Sequence, residues 1–304
     1  MFKQKHEVRK NRIGKKSEWL WAYALIAPTM IGLTILNIYP LIKTISLSMY
    51  QSMGLGPAKY IGLKNFEKMF TTPMIWQATW NTIRFMLMTV PVGIAIALVL
   101  ASFLNRNIRG RDVYRGIYFL PTIVTPVAIA LVWQWLFNGE LGLINQFLHL
   151  FGIQGPYWLS NPSTALLSCA IITVWGSVGY DLVLLLSGLQ SISRHYYEAS
   201  EIDGASQFRQ FFHITLPLIT PTLFFVFLVR LMNALKVFDI IYLLIRPANP
   251  AYRSAVTLMP LFYREGYETF NKGYASAIVL WTFAIIMLFT LIQLFGEKKL
   301  VNYD

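Results

Sequence analysis

The strongest constraint on this chain is a series of apolar runs long enough to cross a lipid bilayer, separated by short polar segments. A spanning helix needs ~20 predominantly apolar residues, and several runs exceed that length. Inside hydrocarbon no water satisfies the backbone, so such runs fold as helices that close their own hydrogen bonds. Of the 304 residues, 56% are hydrophobic and only 13% charged, which sets the chain apart from ordinary soluble domains. The expected fold class is an all-α polytopic membrane protein with about six transmembrane helices.

The runs predict spans over residues 19–49, 76–104, 114–137, 163–189, 216–245 and 273–295. The first is far too long for a signal peptide and reads as an uncleaved helix that Pro28 and Pro40 kink or end. The third contains Pro121 and Pro126, which membrane helices tolerate where neighbours satisfy the freed carbonyls. Between the first two spans, Gly54-Leu55-Gly56-Pro57 marks a turn, and Leu63, Phe66, Met69 and Phe70 form an apolar stripe on a short surface-lying helix. Trp133, Trp135, Tyr157 and Trp158 are expected as an interfacial aromatic belt. Cys169, the one cysteine, lies in an apolar run and reads as a small buried thiol.

Charge orients the spans. A net charge of +12 on a soluble protein would suggest nucleic acid as a partner. Here the basic residues gather in the tail and loops beside apolar runs, which is the positive-inside pattern, so no nucleic-acid partner is expected. Lys3, Lys5, Arg9, Lys10, Arg12, Lys15 and Lys16 precede the first span, and Arg106, Arg109, Arg111 and Arg115 follow the second. The loop 138–161 has no Lys or Arg, while 246–272 is expected outside despite four basic residues. Inside segments hold fifteen Lys and Arg against seven outside, which places both termini in the cytoplasm. The domains are then a basic tail over 1–18, a transmembrane domain over 19–296 and a short cytoplasmic tail over 297–304, which includes Lys298 and Lys299.

The polar stretch YEASEIDGASQFRQFFHITLP, residues 197–217, falls between the fourth and fifth spans. Glu198, Glu201 and Ala205 fall at i, i+3 and i+7, so one helical face can carry acids beside small residues. Ala199, Ser200 and Ala205 are small enough to admit another protein's surface. Gly204 interrupts the helix and allows a sharp turn before a second short segment. Spacing alone leaves two readings open, a plain polar loop or a docking element.

Enzymatic chemistry is missing. There is no G-x-x-x-x-G-K-[ST], the four histidines lack metal spacing, and no Ser/His/Asp order suggests hydrolysis. What remains is polar groups at membrane depth: Asn81, Arg84, Gln134, Asp181, Arg230, Asn233, Lys236 and Asp239. Such groups are costly in hydrocarbon and face a cavity or a partner helix. Arg84 and Asp181 lie near enough to span ends to snorkel, whereas Arg230 sits mid-span.

Three motifs carry a resemblance. Glu198-Ala199-Ser200, Asp203-Gly204-Ala205 and Ile214-Thr215-Leu216-Pro217 resemble the EAA loop of membrane subunits of binding-protein-dependent ABC importers, with Ser200 in place of the usual second alanine. YIGLKNFEKMF followed by WNTIRF resembles the external segment of carbohydrate-type permeases. FDIIYLL with TLMPLFYREGYETFNKGYASAIVL resembles the first of the two permease types, the maltose and glycerol-phosphate kind. The resemblance implies a type I ABC importer permease fold. It also implies an EAA coupling loop over 190–217 in which Glu198, Ala199, Ser200, Asp203, Gly204, Ala205, Leu216 and Pro217 meet an ATPase. The implied partners are a homologous second permease, two cytoplasmic ATPase subunits that bind ATP and Mg, an extracytoplasmic solute-binding protein and membrane lipid. This chain holds no cofactor in that reading, and its place is the bacterial or archaeal cytoplasmic membrane.

The implied function is the membrane-spanning channel of an ATP-driven importer for a sugar, oligosaccharide or related solute. Transporter sites lie near the midplane on helices flanking the moving interface. The candidate path is therefore Thr173, Gly176, Ser177 and Tyr180 on the fourth span with Arg230, Asn233, Ala234 and Val237 on the fifth. Their hydroxyls, amide and aromatic ring suit a polyhydroxylated solute, and Arg230 suits an acidic one. The competing reading for Arg230 is an ion pair with an acid of a partner helix. Two other functions compete: an ion-driven secondary transporter, expected to show internal repeats and broken helices, and a membrane enzyme acting on lipid.

Overall fold

The computed structural model describes residues 15–52, 56–106 and 108–300. Residues 1–14, which include Lys3, Lys5, Arg9, Lys10 and Arg12, residues 301–304, and Gly54-Leu55 of the expected turn lie outside the described residues, as do the side chains of Lys15, Lys16, Lys298 and Lys299.

The first span is α1 (Lys15–Leu33) and α2 (Tyr39–Ser48), joined by a π-helical turn over Thr34–Ile38. Pro28 sits inside α1 without ending it. Pro40 falls in the first turn of α2, and the widened turn before it accommodates both the ring and the missing N–H. A two-stranded hairpin follows, β1 (Tyr50–Gln51) with β2 (Lys59–Tyr60), paired Tyr50 to Tyr60. Asn65 pins it, its Nδ2 donating to the carbonyls of Ser48 at 2.8 Å and Tyr50 at 3.0 Å.

The short helix α3 (Lys64–Thr71) carries the expected apolar stripe, but it docks on protein rather than lying free on the membrane surface. Met69 is fully buried and Phe66 packs on the core, while Phe70 meets the ring of Trp281 at 5.1 Å. Only Leu63 stays largely exposed.

The second span is α4 (Pro73–Leu104), with proline at its first position after an extended Thr72. The third is not one helix. It is α5 (Arg111–Ile123) and α6 (Pro126–Leu136), set at 98° to each other. Pro126 disfavours helical backbone at the residue before it, and Val124 and Thr125 are extended with ψ of 139° and 142°. After α7 (Leu143–His149) comes α8 (Ala165–Ser191), the fourth span.

The polar stretch folds as α9 (Arg194–Ile202), α10 (Gln207–Gln210), a π-helical turn over Phe211–Thr215 and α11 (Leu216–Leu218). A 67° bend leads into α12 (Thr220–Leu235), and Lys236-Val237-Phe238 interrupts the helix before α13 (Asp239–Leu244). The predicted fifth span is thus broken as well. Two short helices, α14 (Tyr252–Ala255) and α15 (Leu258–Tyr263), and a π-helical turn over Arg264–Glu268 precede α16 (Lys272–Leu300). Among the described residues four helices are long and apolar enough to span, and six spans result when each bent pair counts as one.

Helix α8 is the axis of the packing, with 56% of its apolar window buried against 0% for the first span. Gly93, Ala97 and Ala101 recur every fourth residue of α4, the small-residue spacing that lets membrane helices approach closely. Ala97 and Ala101 cluster with Val174, Val178, Leu182 and Leu185 of α8. A second cluster joins Phe85 and Met86 of α4, Cys169 and Ile172 of α8, Leu231 and Leu235 of α12, and Ile278 of α16. Cys169 is buried as expected. The aromatic belt is reduced, because Trp133 packs on Phe137 and Trp175, and Trp158 gives its Nε1 hydrogen to Asn145 at 2.7 Å. Of the four belt residues only Trp135 and Tyr157 are exposed. Asn81 is structural too, its Nδ2 donating to the carbonyls of Arg253 at 3.0 Å and Val256 at 2.9 Å.

Candidate functional site

Ser193 opens α9 as its N-cap, with its side chain accepting from the backbone N–H of His195 at 3.4 Å. The helix ends at Ile202, so Glu198, Glu201 and Ala205 do not share one helical face as the spacing suggested. Gly204 takes a left-handed φ of +76°. Its N–H bonds the Glu201 carbonyl at 3.0 Å, and that of Ala205 bonds the Ser200 carbonyl at 2.9 Å. This paired closure is the Schellman motif, in which glycine is favoured because it has no Cβ to strain in that backbone region. The chain then reverses into α10, where Ser206 caps by accepting from the Arg209 N–H at 3.4 Å.

The result is a helix pair projecting between α8 and α12. Glu198, Ala199, Asp203 and Gly204 are exposed on it, and Ala205 is half-buried. Ile202 and Phe208 are 87% and 77% exposed, beside the exposed rings of Tyr196 and Phe212. Exposed apolar side chains clustered among acids are the composition of a docking surface. Leu216 and Pro217 lie at the base, half-buried in α11. Ser200 is turned inward rather than offered as an open small residue, since Gln210 Nε2 donates to its Oγ at 2.9 Å. Arg106, from the loop after α4, reaches Gln207 Oε1 through its Nη2 at 3.0 Å.

The path candidates divide. On α8, Thr173 and Ser177 are half-buried, and their hydroxyls donate back to the carbonyls of Cys169 at 2.9 Å and Thr173 at 2.5 Å. Tyr180 is 43% exposed, and a Cβ built on Gly176 meets nothing within 4 Å, so this face is open. On α12 the expected shared face separates. Arg230 and Ala234 are buried, Asn233 is exposed, and Val237 lies in the interruption beyond the helix end. A step of three residues on a 3.6-residue helix is enough to carry Asn233 past the packed stripe.

Asp181 is not a snorkelling residue. It is buried and accepts from Arg230 Nε in an ion pair between α8 and α12. Gly93 of α4 clears the space for it: a Cβ there would lie 2.5 Å from Arg230 Nη2. That Nη2 is buried with no hydrogen-bond partner among the described residues. The acid that meets Arg230 in this structure is thus one of its own chain, Asp181. Opposite charges in two neighbouring apolar runs were the sequence signal for this pair. Nothing local in the sequence pointed to Gln210 or to the exposed Phe208.

An all-helical membrane body, with an exposed acidic and aromatic helix pair held between two packed spans, is the layout of a transport permease subunit. The model of the family described as binding-protein-dependent transport system inner membrane component matches residues 90–302, and the chain belongs to that family. The trehalose/maltose transport system permease protein MalF of Thermococcus litoralis is 33% identical over 273 residues, covering 90% of this chain and 92% of that protein. The sn-glycerol-3-phosphate transport system permease protein UgpA of Pectobacterium atrosepticum is 31% identical over 292 residues, covering 95% and 97%. The fold matches a solved bacterial ABC transporter involved in import of the acidic polysaccharide alginate, with a TM-score of 0.83 at 24% identity over 94% of this chain and 98% of that one. The same match, at a TM-score of 0.83, holds for the alginate transporter in complex with alginate pentasaccharide-bound periplasmic protein. Family membership sets aside the ion-driven alternative. The two broken spans show that interrupted helices alone do not single out a secondary transporter.

Proposed function

We propose that this chain is the channel-forming permease of an ATP-driven importer for a sugar, oligosaccharide or related polyhydroxylated solute. The observation that carries the reading is the exposed, Schellman-closed helix pair between α8 and α12, with Glu198, Asp203, Ile202 and Phe208 at its surface. In this reading the pair seats in a cytoplasmic ATPase, and two such ATPases bind ATP and Mg while this chain binds neither. Closure of the ATPases on nucleotide is passed through the helix pair to α8 and α12, and the path between this chain and a second permease opens outward. Free energy enters because the two states of the complex bind nucleotide and receptor differently.

The second permease is supported by the first span, none of whose apolar window is buried within this chain. Named relatives that transport trehalose or maltose, sulfoquinovosyl glycerol and glycerol 3-phosphate support a carbohydrate-like solute. The pairing of Arg230 with Asp181 neutralises the guanidinium and weakens its suitability for an acidic solute. The open face of Gly176, Ser177 and Tyr180 with the exposed Asn233 is the part of the candidate path that reaches solvent or a partner. In this reading both termini and the helix pair face the cytoplasm of a bacterial or archaeal cell, and a periplasmic or lipid-anchored receptor delivers solute from outside.

Reconstitution tests this. Proteoliposomes holding this chain, the second permease, the ATPases and the receptor should accumulate solute only with ATP. Uptake by this chain alone, driven by an ion gradient, overturns the proposal.

A further inference from the structure

Ser200 stands where resembling loops carry alanine, and the structure gives its hydroxyl a use. Its Oγ donates to the Tyr197 carbonyl at 2.8 Å and accepts from Gln210 Nε2 at 2.9 Å. The same Nε2 lies 3.4 Å from the Tyr197 carbonyl, and Gln210 is buried on an otherwise exposed α10. Tyr197 Oη and Thr215 Oγ1 are 2.9 Å apart, and Thr215, itself buried, also reaches the Gln210 carbonyl at 3.5 Å. Three of these bonds, from Gln210 Nε2 to Ser200 and to Tyr197 and between Tyr197 Oη and Thr215 Oγ1, cross between α9 and the segment formed by α10 and the π-helical turn. That segment continues through α11 to the bend before α12.

We propose that Tyr197, Ser200, Gln210 and Thr215 are positioning residues that clasp the two coupling helices into one rigid body. The proposal rests on the coupling role proposed above. Without the clasp, the connection between α9 and α10 is the Asp203-Gly204-Ala205 turn, whose glycine is the most pliant link available. A push on α9 at Glu198 would then flex the turn rather than move α12. A helix of nine residues, as α9 is, is marginal by itself and needs tertiary contacts to stay formed. The clasp supplies them with polar groups on a piece too small and too exposed to have an apolar core. It also accounts for a buried glutamine and a serine together: the amide donates to a hydroxyl that an alanine does not offer.

The test uses the assembled complex of this chain with its second permease, ATPases and receptor. Two readouts separate coupling from folding: receptor stimulation of ATPase activity, and the distance distribution between spin labels at the exposed His195 and Arg209. Gln210→Met keeps the volume and removes the bonds. It should broaden the distribution and cut stimulation about fivefold, the change that losing one hydrogen bond of typical net strength produces, with ATPases still bound. Ser200→Thr keeps the hydroxyl and should behave as wild type, while Ser200→Ala should move towards Gln210→Met. Tyr197→Phe opens the second bond and guards against a Gln210 variant that fails to assemble. A narrow distribution and full stimulation in Gln210→Met and Tyr197→Phe overturn the clasp. The coupling role fails separately, if Gly204→Trp leaves stimulation intact.

Discussion

Asp181 of α8 and Arg230 of α12 form a buried ion pair across the two spans that flank the exposed helix pair, with Gly93 of α4 against the guanidinium. Two charges withdrawn from water are held by each other, so removing one strands the other. Arg230→Met or Asp181→Leu alone should cost about 3–5 kcal/mol, seen as aggregation or loss of the monodisperse complex in detergent. The double variant should recover most of that loss, because an apolar pair of similar volume leaves nothing uncompensated. Single variants as stable as wild type would show that the pair is not maintained in the membrane.

At Gly204 the backbone itself sets the expectation. A φ of +76° strains any residue with a Cβ, by roughly 1–2 kcal/mol per residue, and asparagine tolerates it best. Gly204→Asn should therefore retain coupling and Gly204→Ala should weaken it slightly. A Cβ there meets nothing within 4 Å in this chain, so any further loss in Gly204→Trp comes from the partner it crowds. That variant should assemble but lose receptor-stimulated hydrolysis and uptake. Normal values for both would remove the loop from the coupling step.

The solute path is tested at its exposed members. Tyr180→Ala and Asn233→Ala should alter selectivity or raise apparent KM, with assembly unchanged, since neither residue supports the buried core. If uptake kinetics and selectivity are both unaltered, the face formed by α8 and α12 does not carry solute. Arg230→Ala should instead break up the fold, as its ion pair requires.

The proposed orientation rests on charge and can be read by labelling. In a Cys169→Ala background, cysteine at Glu140 should react with an impermeant thiol reagent added to intact cells, and cysteine at Asp203 only after lysis. Both positions are exposed in this chain, and in cells that express it without the ATPases they differ only in the side of the membrane. Reaction at Asp203 in intact cells would invert the topology.

Much of this protein was determined by sequence alone. Spans are legible because hydrocarbon length and backbone satisfaction act on contiguous residues, so α4, α8 and α16 fall within a few residues of the apolar runs. The Gly204 turn was legible for the same reason, a local backbone demand met by a local residue. Tertiary structure decided the rest. Pro126 marks locally where the third span breaks, but the 98° turn there rather than a kink depended on how neighbours pack around the interrupted backbone. The separation of Asn233 from Arg230 and Ala234 depended on which neighbouring helices cover α12. The Asp181–Arg230 pair joins residues 49 positions apart, and the Ser200–Gln210 bond crosses a chain reversal. Such contacts arise from how helices are stacked against one another, and a linear sequence lays down their periodicity but not their neighbours.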